Sequence, residues 1–182
     1  MTILFLPIDI DVHLTSFYKE DNASRLTAYN PYWASTSLSS TDIEKNNLDK
    51  ILNQLPFTKI TTVTHKFQER EVHSHIDVYP SMIFEDGEYQ NIKDHEPAGY
   101  RILLQGGLDR LEIFNGVEWV VAKIPQAPCC YLLNSTLAQH RVKEDAGREL
   151  IYIRGFLDKQ RHKTLIENSY NRYKEYVIES LF

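Results

Sequence analysis

From Lys59 to Phe156 the chain is a succession of short β-branched or aromatic runs, each cut off within a few residues by a turn signal. Residues 60–67, 73–79, 100–104, 111–114, 117–122, 130–133 and 149–156 each read as a strand of ordinary length. Asn115-Gly116 between two of them is the strongest short-range hairpin signal, and Gly106-Gly107 closes the strand before. Residues 82–98 hold the acidic and turn-forming runs Glu85-Asp86-Gly87-Glu88 and Asp94-His95-Glu96-Pro97, expected as a long loop. Strands this short, with no long helical pattern between them, bury their apolar faces only by closing into an antiparallel sandwich or barrel.

The flanks differ in period. Residues 3–12 read as a strand in which Pro7 marks an edge or the end of pairing. Residues 15–40 are polar and aromatic around Tyr29-Asn30-Pro31-Tyr32-Trp33 and suggest an irregular segment. Thr41-Asp42-Ile43-Glu44 resembles a capping box with Thr41 as N-cap. It opens a helix that carries Leu48, Ile51, Leu52 and Leu55 and ends before Pro56. After Asp158 a second helix follows, with Leu165, Ile166, Tyr170, Tyr173, Val177 and Leu181 on its apolar side.

The expected architecture is mainly β: a double-stranded β-helix, the jelly-roll of cupins, with flanking N- and C-terminal helices. At 182 residues one domain accounts for the chain. Within it, 1–58 form the N-terminal strand, irregular segment and helix, 59–157 the β-helix core, and 158–182 the C-terminal helix. A net charge of −5 gives no general attraction to nucleic acid or anionic membrane. No apolar run approaches the roughly 20 residues of a membrane span. Cys129 and Cys130 are neighbours, so a disulfide framework is not expected and a reducing cytoplasm fits; both read as buried filling.

The chemistry gathers around Val72-His73-Ser74-His75-Ile76-Asp77-Val78-Tyr79. In an extended strand His75 and Asp77 share a face and Ile76 turns the other way. An imidazole and a carboxylate side by side provide two ligands for one metal ion, and His140, after Asn134-Ser135-Thr136, is the candidate third. Two histidines and a carboxylate on one side of a metal, with positions open opposite, form the facial triad of non-heme Fe(II) oxygenases. His73 shares the face of His75 in a regular strand, so His73-x-His75 is an alternative pair. The carboxylate of Asp77, better suited to a hard Fe(II) centre, favours His75, leaving His73 as a cavity-wall or outer residue. Arg148 opens the last strand and is a candidate bidentate clamp for the distal carboxylate of 2-oxoglutarate. Arg154, on the same strand face, is its rival. Arg101 either points outward into solvent or inward to an anion, because an unpaired buried guanidinium is very costly. Tyr29, Tyr32 and Trp33 read as core aromatics, whereas Tyr79 shares the strand face of His75 and Asp77.

Together His75-Ile76-Asp77, Tyr100-Arg101-Ile102-Leu103-Leu104, Asn134-Ser135-Thr136, His140 and Arg148-Glu149-Leu150-Ile151-Tyr152-Ile153 resemble the catalytic core of aspartyl/asparaginyl β-hydroxylase-like oxygenases. The resemblance spans about residues 60–157. It implies Fe(II) held by His75, Asp77 and His140, and 2-oxoglutarate as cosubstrate anchored by Arg148, with Arg101 helping to bind cosubstrate or substrate. The implied activity is hydroxylation of an unactivated C–H of an amino acid or of a peptide or protein side chain. The interval from His140 to Arg148 is shorter than the family's, and the segments outside the core match nothing in it. The partner expected is a small molecule or a peptide. Two other classes share the pattern: a cupin-type isomerase or lyase that needs metal but no 2-oxoglutarate, and a non-catalytic β-barrel binding module.

Overall fold

The structure, a computed structural model, describes the chain except residues 1, 15–16, 18–25, 30–32, 69–70, 78–81, 86–87, 92–98, 107, 109, 136, 144–146 and 182. In chain order the elements begin with β1 (Ile3–Ile8), β2 (Leu26–Tyr29), β3 (Trp33–Ser37), α1 (Ser40–Lys45) and α2 (Leu48–Leu52). Then follow β4 (Phe57–Gln68), β5 (Val72–His75), β6 (Met82–Glu85), β7 (Glu88–Asn91), β8 (Gly99–Gln105), β9 (Leu111–Phe114) and β10 (Trp119–Val121). The last are β11 (Cys129–Leu133), β12 (His140–Val142), β13 (Glu149–Leu157), α3 (Lys159–Tyr173) and β14 (Ile178–Glu179), with a single 3-10 turn at Lys174–Tyr176 between the last two.

The central strands fall into two antiparallel sheets. One contains the order β11-β8-β13-β4 and the other β10-β9-β12-β5. Followed along the chain, β4 is in the first sheet, β5 in the second, β8 in the first, β9 and β10 in the second, β11 in the first, β12 in the second and β13 in the first. This regular exchange between two sheets is the double-stranded β-helix. The first sheet is extended by β1 and β14 on one side and by β3 and β2 on the other.

The larger sheet is buried on both faces, which explains its near-continuous apolar strands. One face turns Phe5, Leu103, Tyr131 and Leu133 toward Val72, Leu111, Ile113 and Val142 of the smaller sheet. The opposite face presents Tyr100, Ile102, Cys130, Leu132, Ile151 and Ile153 to Leu48, Ile51, Leu52 and Leu55 of the N-terminal helical region, with Leu165 and Ile166 of α3 packed beside them. Cys129 and Cys130 are buried free thiols, and burial pushes the Cys129 thiol up to about 12. At Gly155 the backbone of β4 comes close to that of β13, where the pairing register shifts. A Cβ there would lie 2.2 Å from the Lys59 carbonyl oxygen and 2.8 Å from the Ile60 Cα, both backbone atoms that cannot swing aside. Gly155→Ala should therefore destabilise the protein by about 1–3 kcal/mol, as overpacking does. A urea midpoint equal to the parent's would refute this.

Several expectations are corrected. The segment expected to be irregular contains the hairpin β2–β3, because Trp33–Ser37 finds the free edge of β4 and pairs Ala34 with Phe67 and Thr36 with His65. The helix cap is Ser39, not Thr41: its hydroxyl accepts the Asp42 N–H at 3.1 Å while Asp42 Oδ2 accepts the Ser39 N–H at 2.8 Å. The single N-terminal helix is two, broken where Asn47 takes φ 53°. The expected 82–98 loop holds the hairpin β6–β7. The Asn115-Gly116 turn is a longer loop in which the Asn115 side chain accepts the N–H groups of Val117 and Glu118, so β10 starts at Trp119. Strand β1 stops at Ile8 rather than running to residue 12; among the described residues its β14 side is paired at Ile3 and Phe5 and not at Pro7, the edge position expected of a proline. The last helix ends at Tyr173, so Val177 and Leu181 lie outside it, and Leu181 is exposed. Among the described residues no helix is long and apolar enough to cross a membrane. Tyr32 and Tyr79 lie outside the described residues.

Candidate metal centre

His140 is the first residue of β12 and pairs directly with His75, the last residue of β5. The two imidazole rings are 4.3 Å apart. Two residues after His75, Asp77 is fixed by its backbone N–H, which donates to the Ser135 carbonyl at 2.8 Å. Ile76 between them is 48% exposed, so the outward turn expected of it is what places both neighbours on the inner side. His75, Asp77 and His140 each bring one donor atom into a group spanning no more than 4.8 Å.

A β-bulge decides which histidine joins. Between the two pairings of β5 with β12, His75 lies opposite His140 and Val72 opposite Val142, so three steps on one strand match two on the other. Val72 and His75 both face inward as a result. His73 does not: its side chain is 76% exposed and lies 3.8 Å from Glu71, correcting the cavity-wall placement expected from a regular strand. What His73 contributes is its carbonyl, which accepts the His75 Nδ1–H at 2.7 Å. The Ala138 carbonyl accepts the His140 Nδ1–H at 2.9 Å. A carbonyl only accepts, so each Nδ1 carries a proton; the Nε2 of neutral His140 offers its lone pair, and that of His75 does so once it has given up its proton. Metal-binding histidines are oriented by bonds of this kind.

Asp77 has one oxygen for each side of its surroundings. Oδ1 lies 3.4 Å from His75 Nε2, and Oδ2 lies 3.7 Å from the Arg101 guanidinium. Burial opposes ionisation of this carboxyl, but hydrogen bonds from His75 and Ser135, with the nearby His140 and Arg101, hold it well below the usual carboxylate range. Burial pushes His140 down to about 4, so it is neutral at physiological pH. The hydrogen bond to Asp77 outweighs desolvation and raises His75 above its ordinary value of 6.5. Two donors bound at right angles about 2.1 Å from one ion are about 3 Å apart. The 3.4 Å between His75 and Asp77 is near that spacing. Two neutral imidazoles and a carboxylate on one side of an ion suit Fe(II), which gives the donor set its fit.

The sign of the pH dependence follows. His140 has no proton to lose near neutrality, whereas His75 must give one up before its Nε2 can bind a metal. Apparent Zn(II) affinity should rise about tenfold per pH unit below the raised His75 value and level off above it. Affinity that is flat between pH 5.5 and 8, measured by competition with a chromogenic chelator, would show that His75 is no ligand.

The three candidate arginines go to different places. Arg101 points inward and is buried; its Nη1 donates to the Gly99 and Leu133 carbonyls at 3.0 Å each, and Nη2 to the Ser135 hydroxyl at 3.2 Å. Arg148, only 3% exposed, lines the same cleft as His75, Asp77 and His140. Gly147 before it turns the chain at φ 110°, and Gly106 lies so close that a Cβ would be 3.1 Å from the Arg148 Cα. The backbone is pinned there by Gln68, which donates to the Arg148 carbonyl at 2.9 Å and accepts from Gly147 at 3.1 Å. Arg154 is exposed, with its guanidinium 4.5 Å from the Tyr152 ring centre.

The cleft has lining residues that the sequence did not single out, above all Lys66, Tyr131 and Tyr152. Lys66 lies opposite Leu150 on the neighbouring strand. A lone lysine in a β-branched strand looks like a solvated position, and only the pairing register turns it inward.

No family model matches the chain, and no curated protein matches it. Among solved structures the chain is similar to a prolyl hydroxylase from Trichoplax adhaerens, solved in complex with a peptide fragment of the hypoxia inducible factor oxygen degradation domain. Identity is 12%, coverage is 82% of this chain and 74% of that one, and the TM-score is 0.46. At that level the likeness carries no information about ligands or substrate.

Proposed function

We propose that the chain is an Fe(II)- and 2-oxoglutarate-dependent dioxygenase that hydroxylates an unactivated C–H of an amino acid or of a peptide side chain, akin to the aspartyl/asparaginyl β-hydroxylase-like oxygenases. The observation that carries the reading is the convergence of His75, Asp77 and His140 within 4.8 Å, each histidine oriented through its Nδ1 by a backbone carbonyl, in a cleft that also holds Arg148.

His75, Asp77 and His140 would hold the metal, and the resident iron with 2-oxoglutarate would supply the oxidising chemistry, the cosubstrate leaving as succinate and CO2. The protein's own part is positional. Arg101, anchored by its bonds to Gly99, Leu133 and Ser135, keeps one oxygen of Asp77 directed away from the histidines so that the other faces them. Arg148 offers a planar two-pronged donor for the distal carboxylate of 2-oxoglutarate. Leu111, Leu133 and Leu150 give the cleft its apolar wall.

Anaerobic Fe(II) titration with and without 2-oxoglutarate tests this. A weak visible charge-transfer band that needs both components supports the dioxygenase. Metal binding with no response to 2-oxoglutarate replaces it by a metalloenzyme of another class, and binding of neither makes the barrel a binding module.

A further inference from the structure

We propose that Ser135 is a positioning residue of the metal centre, whose hydroxyl holds Asp77 so that one carboxylate oxygen stays turned toward the two histidines. The inference rests on the metal reading above and adds a fourth residue to the three donors. Ser135 is 2% exposed and lies in the turn between β11 and β12. Backbone bonds fix that turn without help from any ligand. The Asn134 N–H donates to the Leu4 carbonyl at 2.9 Å, and the Asn134 carbonyl accepts the N–H groups of Leu137 at 3.0 Å and Ala138 at 2.7 Å. From this one turn contacts run to all three donors. The Ser135 carbonyl accepts the Asp77 N–H, the Ala138 carbonyl accepts the His140 Nδ1–H, and the Gln139 amide donates to the hydroxyl of Ser74, next to His75.

The hydroxyl itself has two roles at once. Its oxygen accepts from Arg101 Nη2 at 3.2 Å. It also bonds the Asp77 carboxylate, and because an ionised carboxylate only accepts, the hydroxyl is the donor there. The same Arg101 nitrogen is 3.7 Å from Asp77 Oδ2, too far for a hydrogen bond. Ser135 therefore acts as a spacer between cation and carboxylate. It takes a guanidinium hydrogen for itself and hands Asp77 a neutral donor in its place. A direct two-pronged pair with Arg101 would be the stronger contact. It would also draw the carboxylate toward β8 and neutralise the charge that a metal needs. A hydroxyl fixes the direction of the carboxylate and leaves that charge in place. Loss of the hydroxyl frees Asp77 to close on Arg101, while the backbone bond from Asp77 to the Ser135 carbonyl survives any substitution of the side chain.

Zn(II) affinities of S135A, S135T, D77A and the S135A/D77A double variant, read by competition with a chromogenic chelator, decide it. S135A should bind about 10- to 100-fold more weakly than the parent, the usual cost of losing a partner that orients a ligand. S135T keeps the hydroxyl and should bind like the parent. Because Ser135 acts through Asp77, S135A should cost nothing further in the D77A background, so the two losses should not add. A residue that merely supports the fold would weaken D77A by the same factor as it weakens the parent. Melting curves without metal accompany each variant. If the extra methyl group of S135T lowers its metal-free melting temperature, the comparison with D77A decides alone. An S135A affinity equal to the parent's overturns the positioning role, as does a loss that recurs in full in the double variant. So does an equal loss in S135A and S135T whose metal-free melting temperatures match the parent's. A parent that binds no Zn(II) fails the metal reading itself and takes the positioning role with it.

Discussion

His140→Ala should abolish tight Fe(II) binding and leave a folded protein. Losing a partner one shell removed from a metal typically costs 10- to 100-fold in affinity, and losing a ligand should exceed about 100-fold. The fold should survive because β12 is held by backbone pairing to both β5 and β9, which the side chain does not make. What disappears is one imidazole, its bond to the Ala138 carbonyl and its contact with the His75 ring. Equilibrium dialysis against Fe(II) under anaerobic conditions, paired with a thermal melt, separates the two effects. An affinity equal to the parent's removes His140 from the metal centre and the dioxygenase reading with it.

Arg148→Lys should weaken 2-oxoglutarate by roughly 10- to 150-fold, the equivalent of losing one charge-assisted hydrogen bond of about 1.5–3 kcal/mol. Lysine keeps the charge but not the planar fork that matches a carboxylate at two points. Fe(II) binding without cosubstrate should change little, since Arg148 is not among the three clustered donors. Calorimetric titration of the variant with 2-oxoglutarate reads this directly. Unchanged affinity would transfer the anchor to another cation of the cleft, with Lys66 first in line because its strand position is adjacent. Loss of iron binding would instead make Arg148 a structural support, consistent with how tightly Gly106, Gly147 and Gln68 enclose its backbone.

The places of the central strands other than β12 were legible in the sequence, because each depends on a few adjacent residues: β-branched content, alternation, and a glycine or asparagine at the end; the three residues of β12 show no such pattern. The pairing of His75 with Asp77 was legible for the same reason, since a spacing of two on extended backbone fixes a common side without reference to anything distant. At Arg101 the sequence posed only a choice between solvent and an anion, and the fold resolved it inward.

Only the tertiary structure could decide the rest, because register is a relation between segments far apart in the chain. It set His140 against His75 and Lys66 against Leu150. The extra residue in β5 turned His73 out and kept Val72 in, an inversion that no period-two reading of one strand can foresee. The hairpin β2–β3 exists because β4 has an edge to offer, and the first helix breaks at Asn46–Asn47 through a left-handed residue that the Leu48, Ile51, Leu52 and Leu55 pattern conceals. Arg148 and Arg154 share one strand face and look equivalent along the chain. Only the fold separates them: Arg148 is buried in the cleft with His75, Asp77 and His140, and Arg154 is exposed.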